Sequence, residues 1–370
     1  MTDADDLPTV VEAAEDVRAG RRSALDLVES CLARIDARNP DMNAFVYLDA
    51  DGARRAAEGI DRAVAEGRGE QLGPLAGVPF GVKDLEDCAG MPTSHGSLLH
   101  MGEGPVERDS EHVRRLRGAG AIPLGKTASP EFGTLQYTRT KAWGTTRNPW
   151  DPTRTPGGSS GGTAAAVAAG MIPFGTASDG GGSTRIPAAF SGLVGLKPSH
   201  GRIPHPDLDP SQTACYGALT TTVTDAARHL DVAAGPHDDD RLSLPPSGVR
   251  YEDAIETLDV AGLRVGWSAD LGFAPVDAEV RELARAAAVD LCGAAGLELT
   301  EVDVQLTDPV ATWLSAGALS NWLSIDEHLH WPDRIDDLTP LVQADLRGSH
   351  DRPARTLVPG LRQPSTLFGA

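Results

Sequence analysis

The stretch PGGSSGGTAAAVAAGMIPFGTASDGGGSTRIP, residues 156–187, sets two glycine-wrapped serine sites at the ends of one short apolar segment. Glycine frees the backbone for unusual dihedrals and lets another group come close, so each site reads as an exposed, flexible loop presenting hydroxyls. A Gly/Ser linker would continue polar on both sides. TAAAVAAGMIPFG is instead apolar and dense in alanine, and reads as a buried helix running into a strand. In the second loop Gly180, Gly181 and Gly182 precede Ser183. Three glycines in a row can aim successive N–H groups at one point, an anion-binding nest. That arrangement suits a carbonyl oxygen turning negative under nucleophilic attack, where such donors lower the barrier by about 3 kcal/mol each. Ser183, at the end of the nest, is the natural nucleophile, and a serine hydroxyl needs a base. No histidine is convincingly placed for that task. The candidate comes from lysine usage: only Lys83, Lys126, Lys141 and Lys197 occur, and the other 29 of the 33 basic residues are arginine. A lysine inside PFGVKDL, buried at a strand end, would be favoured in its neutral form by desolvation, which makes Lys83 a possible base.

Other readings of these residues fit less well. GGSSG at 157–161 formally matches G-x-S-x-G, but that motif needs a buried strand before it and the residues here are DPTRTP. A phosphate-binding P-loop would need Lys-Ser/Thr after the glycines. EHLH, Glu327 to His330, lacks the spacing of H-E-x-x-H and a complementary cluster, so these read as surface histidines and no metal is expected. Cys31, Cys88, Cys215 and Cys292 are scattered, without the close pairs of a metal site or a small disulfide framework. The net charge of −20 argues against nucleic acid or an anionic membrane as partner and fits a solvated acidic exterior. No stretch approaches the roughly 18 apolar residues that span a bilayer, and MTDADDLPTV has no apolar core for a signal peptide. A cytoplasmic location is the expectation.

The elements that must position these residues follow from periodicity. Residues 8–68 read as helices: SALDLVESCLARIDARN starts at a capping serine and repeats apolar residues at helical spacing, and ADGARRAAEGIDRAVAEG continues in that style. GPLAGVPFGVKDL reads as a strand ending at Lys83–Asp84, and SEHVRRLRGAGAIPLGKT as a helix followed by a strand. The prolines and glycines of GTTRNPWDPTRTPGGSS exclude regular structure there. Residues 234–250, AGPHDDDRLSLPPSGVR, form a surface loop joining two halves. LRVGWS, DAEVRELARAAAVDLCGAAG and LELTEVDV make a strand-helix-strand unit. The expected fold is α/β, a mixed central sheet with helices on both faces. It forms a single domain over 1–350 with a catalytic core at about 70–205, followed by an irregular tail at 351–370.

GGSSGGTAAAVAAG and SDGGGSTRIPAAFSGLVGLKPSHGRIP resemble the amidase signature family of serine hydrolases. The resemblance extends to GPLAGVPFGVKDL, GAIPLGKTASPEFG, GTTRNPWDPTRTP and GALTTTVTDAARHLDVAAG, in family order, and covers about residues 20–305. It implies amide hydrolysis without a cofactor through a Lys–Ser–Ser triad of Lys83, Ser159 and Ser183, with Ser159 as the bridging serine behind a cis peptide bond. Neutral Lys83 would draw a proton through Ser159 while Ser183 attacks the amide carbon. The oxyanion would sit among the N–H groups of Gly180, Gly181, Gly182 and Ser183. Asp179 and Arg185 would hold the loop, and Phe132 and Gly133 would lie beside the acyl pocket. Two departures stand out. Gly180 occupies a position where the family commonly has a larger residue, and family members usually run well past this length, so a shortened C-terminal part is expected. The implied substrate is a small-molecule amide, with a homo-oligomer possible. The alternatives are the amidase subunit of a glutamine-dependent amidotransferase, or a truncated, weakly active protein serving as a non-catalytic partner.

Overall fold

The computed structural model describes residues 7–206, 213–310, 313–314, 321–323, 325 and 332–353. Three helices lead: α1 (Val10–Arg18), α2 (Ala24–Met42) and α3 (Ala50–Ala65). Their starts are written in the sequence. Thr9 and Glu12 form a reciprocal capping box on α1, and Ser23 Oγ accepts from the Asp26 N–H at the start of α2. Between α2 and α3, inside the segment expected to be helical throughout, FVYL forms strand β1 (Phe45–Leu48). Asn43 turns the chain there in a left-handed conformation, with φ of 51°. The aromatic and β-branched residues that follow prefer a pleated surface.

The sheet holds β1, β2 (Pro79–Lys83), β3 (Ile122–Thr127), β6 (Phe174–Asp179), β7 (Val194–Gly195) and β8 (Cys215–Thr220) in the order β1-β3-β2-β6-β8-β7. β2 runs parallel to both β3 and β6, and the remaining pairs are antiparallel, so the sheet is mixed. Every residue of β2 and β8 is buried. Because side chains alternate between faces along a strand, that burial requires cover on both sides of the sheet. α4 (Glu111–Gly118), α5 (Gly161–Ala168) and α7 (Val223–Ala233) supply part of it. At the centre Phe80 and Phe174 sit opposite each other on β2 and β6, their rings stacked at 5.3 Å.

The segment expected to be irregular, 144–160, is so except at its first two residues, where β5 (Gly144–Thr145) pairs with β4 (Arg139–Thr140) just before it. Residues 234–250 carry no helix or strand. β9 (Arg264–Trp267), α9 (Ala278–Ala295) and β10 (Glu298–Glu301) make the expected strand-helix-strand unit as a separate parallel pair. α6 (Arg185–Ser191), α8 (Tyr251–Thr257) and α10 (Pro340–Ser349) complete the elements used below. Among the described residues no helix is long and apolar enough to cross a membrane. Glu327–His330 and residues 354–370 lie outside the described residues.

Candidate active site

Two strand ends and one helix start bring the serines and the lysine together. β2 ends at Lys83, wholly buried, and its neighbour β6 ends in SD, so Ser178 and Asp179 arrive beside it. Lys83 Nζ lies 2.8 Å from Ser159 Oγ and 2.9 Å from Ser178 Oγ, and reaches the Ser178 carbonyl at 3.4 Å. The Lys83 N–H donates to Thr176 Oγ1 at 2.8 Å, which fixes the root of the side chain. All these partners are neutral oxygens. Burial pushes the lysine down to about 7, while the charges of Glu86 and Asp179 act in the opposite sense.

Ser159 lies just before α5, and the Gly158–Ser159 peptide bond is cis. This first glycine loop was expected to be exposed and flexible. It is not exposed: residues 156–162 are all buried, and Ser159 is 2% exposed. A Cβ on Gly158 would come within 2.6 Å of the Leu135 carbonyl oxygen, and one on Gly162 within 2.2 Å of the Ala128 nitrogen. The glycines are needed for close packing of main chain against main chain. Gly133, with φ of 71°, passes directly over Ser159, and a Cβ there would stand 3.4 Å from Ser159 Oγ and 2.9 Å from Leu85. Phe132 beside it takes a left-handed backbone at φ of 50°, and its ring packs with His95 and His100.

Ser183 is half-buried, and its carbonyl accepts from the Ser160 N–H at 3.2 Å, which ties the second loop to the first. Among the described contacts no hydrogen bond joins Ser183 Oγ to Ser159 Oγ. Asp179, 1% exposed, organises the loop: it accepts from the N–H groups of Gly182 (2.6 Å), Thr184 (3.3 Å) and Arg185 (3.4 Å). The Arg185 guanidinium closes a two-pronged pair on it at 2.8 and 2.9 Å. Burial pushes the Asp179 carboxyl up, but Arg185 and these N–H donors outweigh it and hold the group below its ordinary value. Gly182 therefore departs from the expected nest. Its N–H already has a carboxylate acceptor, which leaves Gly180, Gly181 and Ser183 to offer donors to an anion.

Sequence reasoning missed three contributors. Ser178 takes two contacts of the Lys83 amine, yet it reads as one more small residue of the loop. Trp313 Nε1 donates to the Gly180 carbonyl at 3.0 Å, and its ring lies on Gly181, where a Cβ would stand 2.4 Å from Cζ2. Glu131, 1% exposed, accepts from Ser97 Oγ (2.7 Å) and from Thr339 N and Oγ1 (2.6 and 2.7 Å). The last two involve partners too far apart along the chain for spacing to reveal them. Among the described residues, no three His, Cys, Asp or Glu side chains are grouped to hold a metal ion.

The sequence profile of the amidase family matches residues 26–346. The chain is 40% identical over 337 residues to an acylamidase of Rhodococcus erythropolis, covering 89% of this chain and 69% of the relative. It is 43% identical over 260 residues to a glutamyl-tRNA(Gln) amidotransferase subunit of Chloroflexus aurantiacus, over 70% of this chain. The chain spans about half the length of that second relative (53%). Among solved structures, a bacterial aryl acylamidase of the amidase signature enzymes superposes with a TM-score of 0.90 at 29% identity, over 99% of this chain and 77% of the other. The 6-aminohexanoate cyclic dimer hydrolase in complex with its substrate superposes with a TM-score of 0.87, also at 29% identity, over 98% and 76%.

Proposed function

The chain belongs to the amidase signature family, hydrolases of carbon–nitrogen amide bonds, and on that premise we propose that it cleaves a small carboxylic amide through an acyl-enzyme on Ser183. The observation that carries the reading is the buried 2.8 Å contact between Lys83 Nζ and Ser159 Oγ, made beside the loop that bears Ser183. A neutral amine at Lys83 takes the Ser159 proton, Ser159 takes the Ser183 proton, and Ser183 Oγ attacks the carbonyl carbon. Ser178 Oγ and its carbonyl accept the amine hydrogens, which turns the lone pair of Lys83 toward Ser159. The developing oxyanion meets N–H donors of Gly180, Gly181 and Ser183. Ser159 then returns its proton to the departing amine, and water releases the acid by the same relay. Gly133 keeps the approach to Ser159 open, since a side chain there would press on Leu85 and the hydroxyl.

The 43% identity to an amidotransferase component favours a second reading, ammonia release from glutamine for a partner enzyme. Identity over a larger share of the chain supports the acylamidase side. The test is a panel of aryl, aliphatic and amino-acid amides with ammonia or amine release as readout. Turnover of acyl or aryl amides by the chain alone is expected. Release from glutamine only, and only with partner proteins present, would transfer the assignment to the second reading.

A further inference from the structure

The loop that bears Ser183 is tied down unevenly. Asp179 fixes its later part through the N–H groups of Gly182, Thr184 and Arg185, and Gly182 takes a left-handed backbone with φ of 114°. Gly180 and Gly181 have no part in that network. Among the described contacts a single hydrogen bond holds them: Trp313 Nε1 donates to the Gly180 carbonyl at 3.0 Å. The indole is itself anchored, half-buried on a helical turn. There the Trp313 N–H donates to the Pro309 carbonyl, and Asp308 Oδ1 accepts from the Val310 N–H, both at 2.9 Å.

We propose that Trp313 is a positioning residue for the oxyanion donors, fixing the Gly180–Gly181 peptide so that the Gly181 N–H faces the substrate carbonyl oxygen. The inference rests on reading Ser183 as the nucleophile. The Gly180–Gly181 bond is trans, and in a planar trans peptide the C=O and the N–H point in opposite directions. With the Gly180 carbonyl turned onto the indole, the Gly181 N–H is turned away from it. That N–H has no acceptor among the described residues, so it is available to an anion. A peptide between two glycines turns over readily, because glycine populates both signs of φ. Turned over, it would place the Gly180 carbonyl where the Gly181 N–H had been, an acceptor facing an oxyanion. The indole opposes this twice. Its N–H holds the carbonyl, and its ring lies on Gly181, where a Cβ would stand 2.4 Å from Cζ2 and 2.8 Å from Cε2. Gly181 lies outside the left-handed region, so its present backbone suits alanine, and the indole is the obstacle to a side chain. Turning the peptide over swings φ of residue 181 by about half a circle, into a range that glycine visits and alanine avoids.

One substitution therefore has two opposite signs. Gly181→Ala alone drives a methyl group into the indole, displaces its N–H from the carbonyl and lowers activity. In a Trp313→Ala background the methyl group enters open space. There it disfavours the turned-over peptide and restores part of what loss of the indole removed. Two readouts are used: the rate at which a fluorophosphonate labels Ser183, whose P=O oxygen calls on the same donors, and kcat and KM per labelled site on the best amide of the panel above. Trp313→Ala should lower the labelling rate and kcat about tenfold, less than the loss of a whole donor, with KM changed by no more than about twofold. Adding Gly181→Ala to it should raise both rates by about threefold. An unchanged kcat per labelled site in Trp313→Ala overturns the role, since the indole would then serve folding alone. A loss confined to KM overturns it too, and makes the indole a wall of the substrate pocket. So does a Gly181→Ala effect that keeps its sign, or vanishes, in either background. Should Trp313→Ala fail to fold, Trp313→Phe, which keeps a ring and loses the N–H, decides alone by the same rates. Labelling rates that follow the pattern in a protein that cleaves no amide keep the role of Trp313 and overturn the amidase reading. An unaltered chain whose Ser183 is never labelled overturns the functional reading, and the inference with it.

Discussion

A lysine buried against hydroxyls and a carbonyl, with its carboxylates at a remove, gives up its proton far more easily than one in water. Burial brings Lys83 down to about 7, and as the proposed base it must be neutral to work. The rate should therefore rise with pH, reach half its limit near 7, and fall about tenfold per unit below that. A kcat/KM profile still climbing beyond pH 9 would contradict this. Arginine keeps its proton at any such pH, so Lys83→Arg should lose as much activity as Lys83→Ala, on the order of 100-fold or more. Ser183→Ala should lose both turnover and labelling by a fluorophosphonate. Ser160→Ala should be far milder than Ser159→Ala: Ser160 Oγ accepts only a 3.4 Å bond from the Ser178 N–H, whereas Ser159 holds the lysine. Equal losses at the two serines would refute the division of roles.

Among the elements, α5 is the one whose sequence is dictated by its neighbours. Gly162 lets its turn approach the backbone of Ala128, whose carbonyl accepts the Gly162 N–H at 2.9 Å. Gly162→Ala should destabilise by about 1–3 kcal/mol, since the obstacle is main chain and not the end of a side chain. Gly59 on α3 has nothing within 4 Å of a built Cβ, so Gly59→Ala should stabilise by about 0.5–1 kcal/mol. Urea melts of the two variants check the pair, and reversed signs would refute it. At this scale the sequence was highly legible. Capping residues and apolar spacing located α2, α3, α4 and α9 because those signals are local. β1 escaped because four residues are too few to display a period. The buried state of the first serine loop escaped because glycine looks the same whether it grants freedom or closeness.

Over the whole molecule, the residues that reading along the chain did not find are those whose partners are remote. Thr339, at the N-terminus of α10, donates twice to Glu131, 208 positions earlier, and Trp313 reaches Gly180 across 133 positions. Neither contact leaves a trace in local spacing, whereas Lys83, Ser159 and Ser183 stand out as candidates because each lies in a short distinctive motif. Glu131 joins α10 and the loop at Ser97 to the Phe132–Gly133 turn over Ser159. Glu131→Ala leaves three buried donors without an acceptor, and should cost about 2–4 kcal/mol of stability and lower turnover as well. Chemical denaturation beside the amide assay tests this, and a variant of unchanged stability would show that the tie carries no weight.

The scarcity of lysine has a practical side. Lys83 and Lys126 are wholly buried, Lys197 is half-buried, and Lys141 is exposed. An amine-reactive acetylating reagent therefore meets Lys141 and part of Lys197 on the native surface, while Lys83 lies out of its reach. Its modification must wait for the strand and loop around it to part. The rate at which Lys83 becomes acetylated thus reads the frequency of that opening, a built-in clock for local unfolding at the catalytic centre.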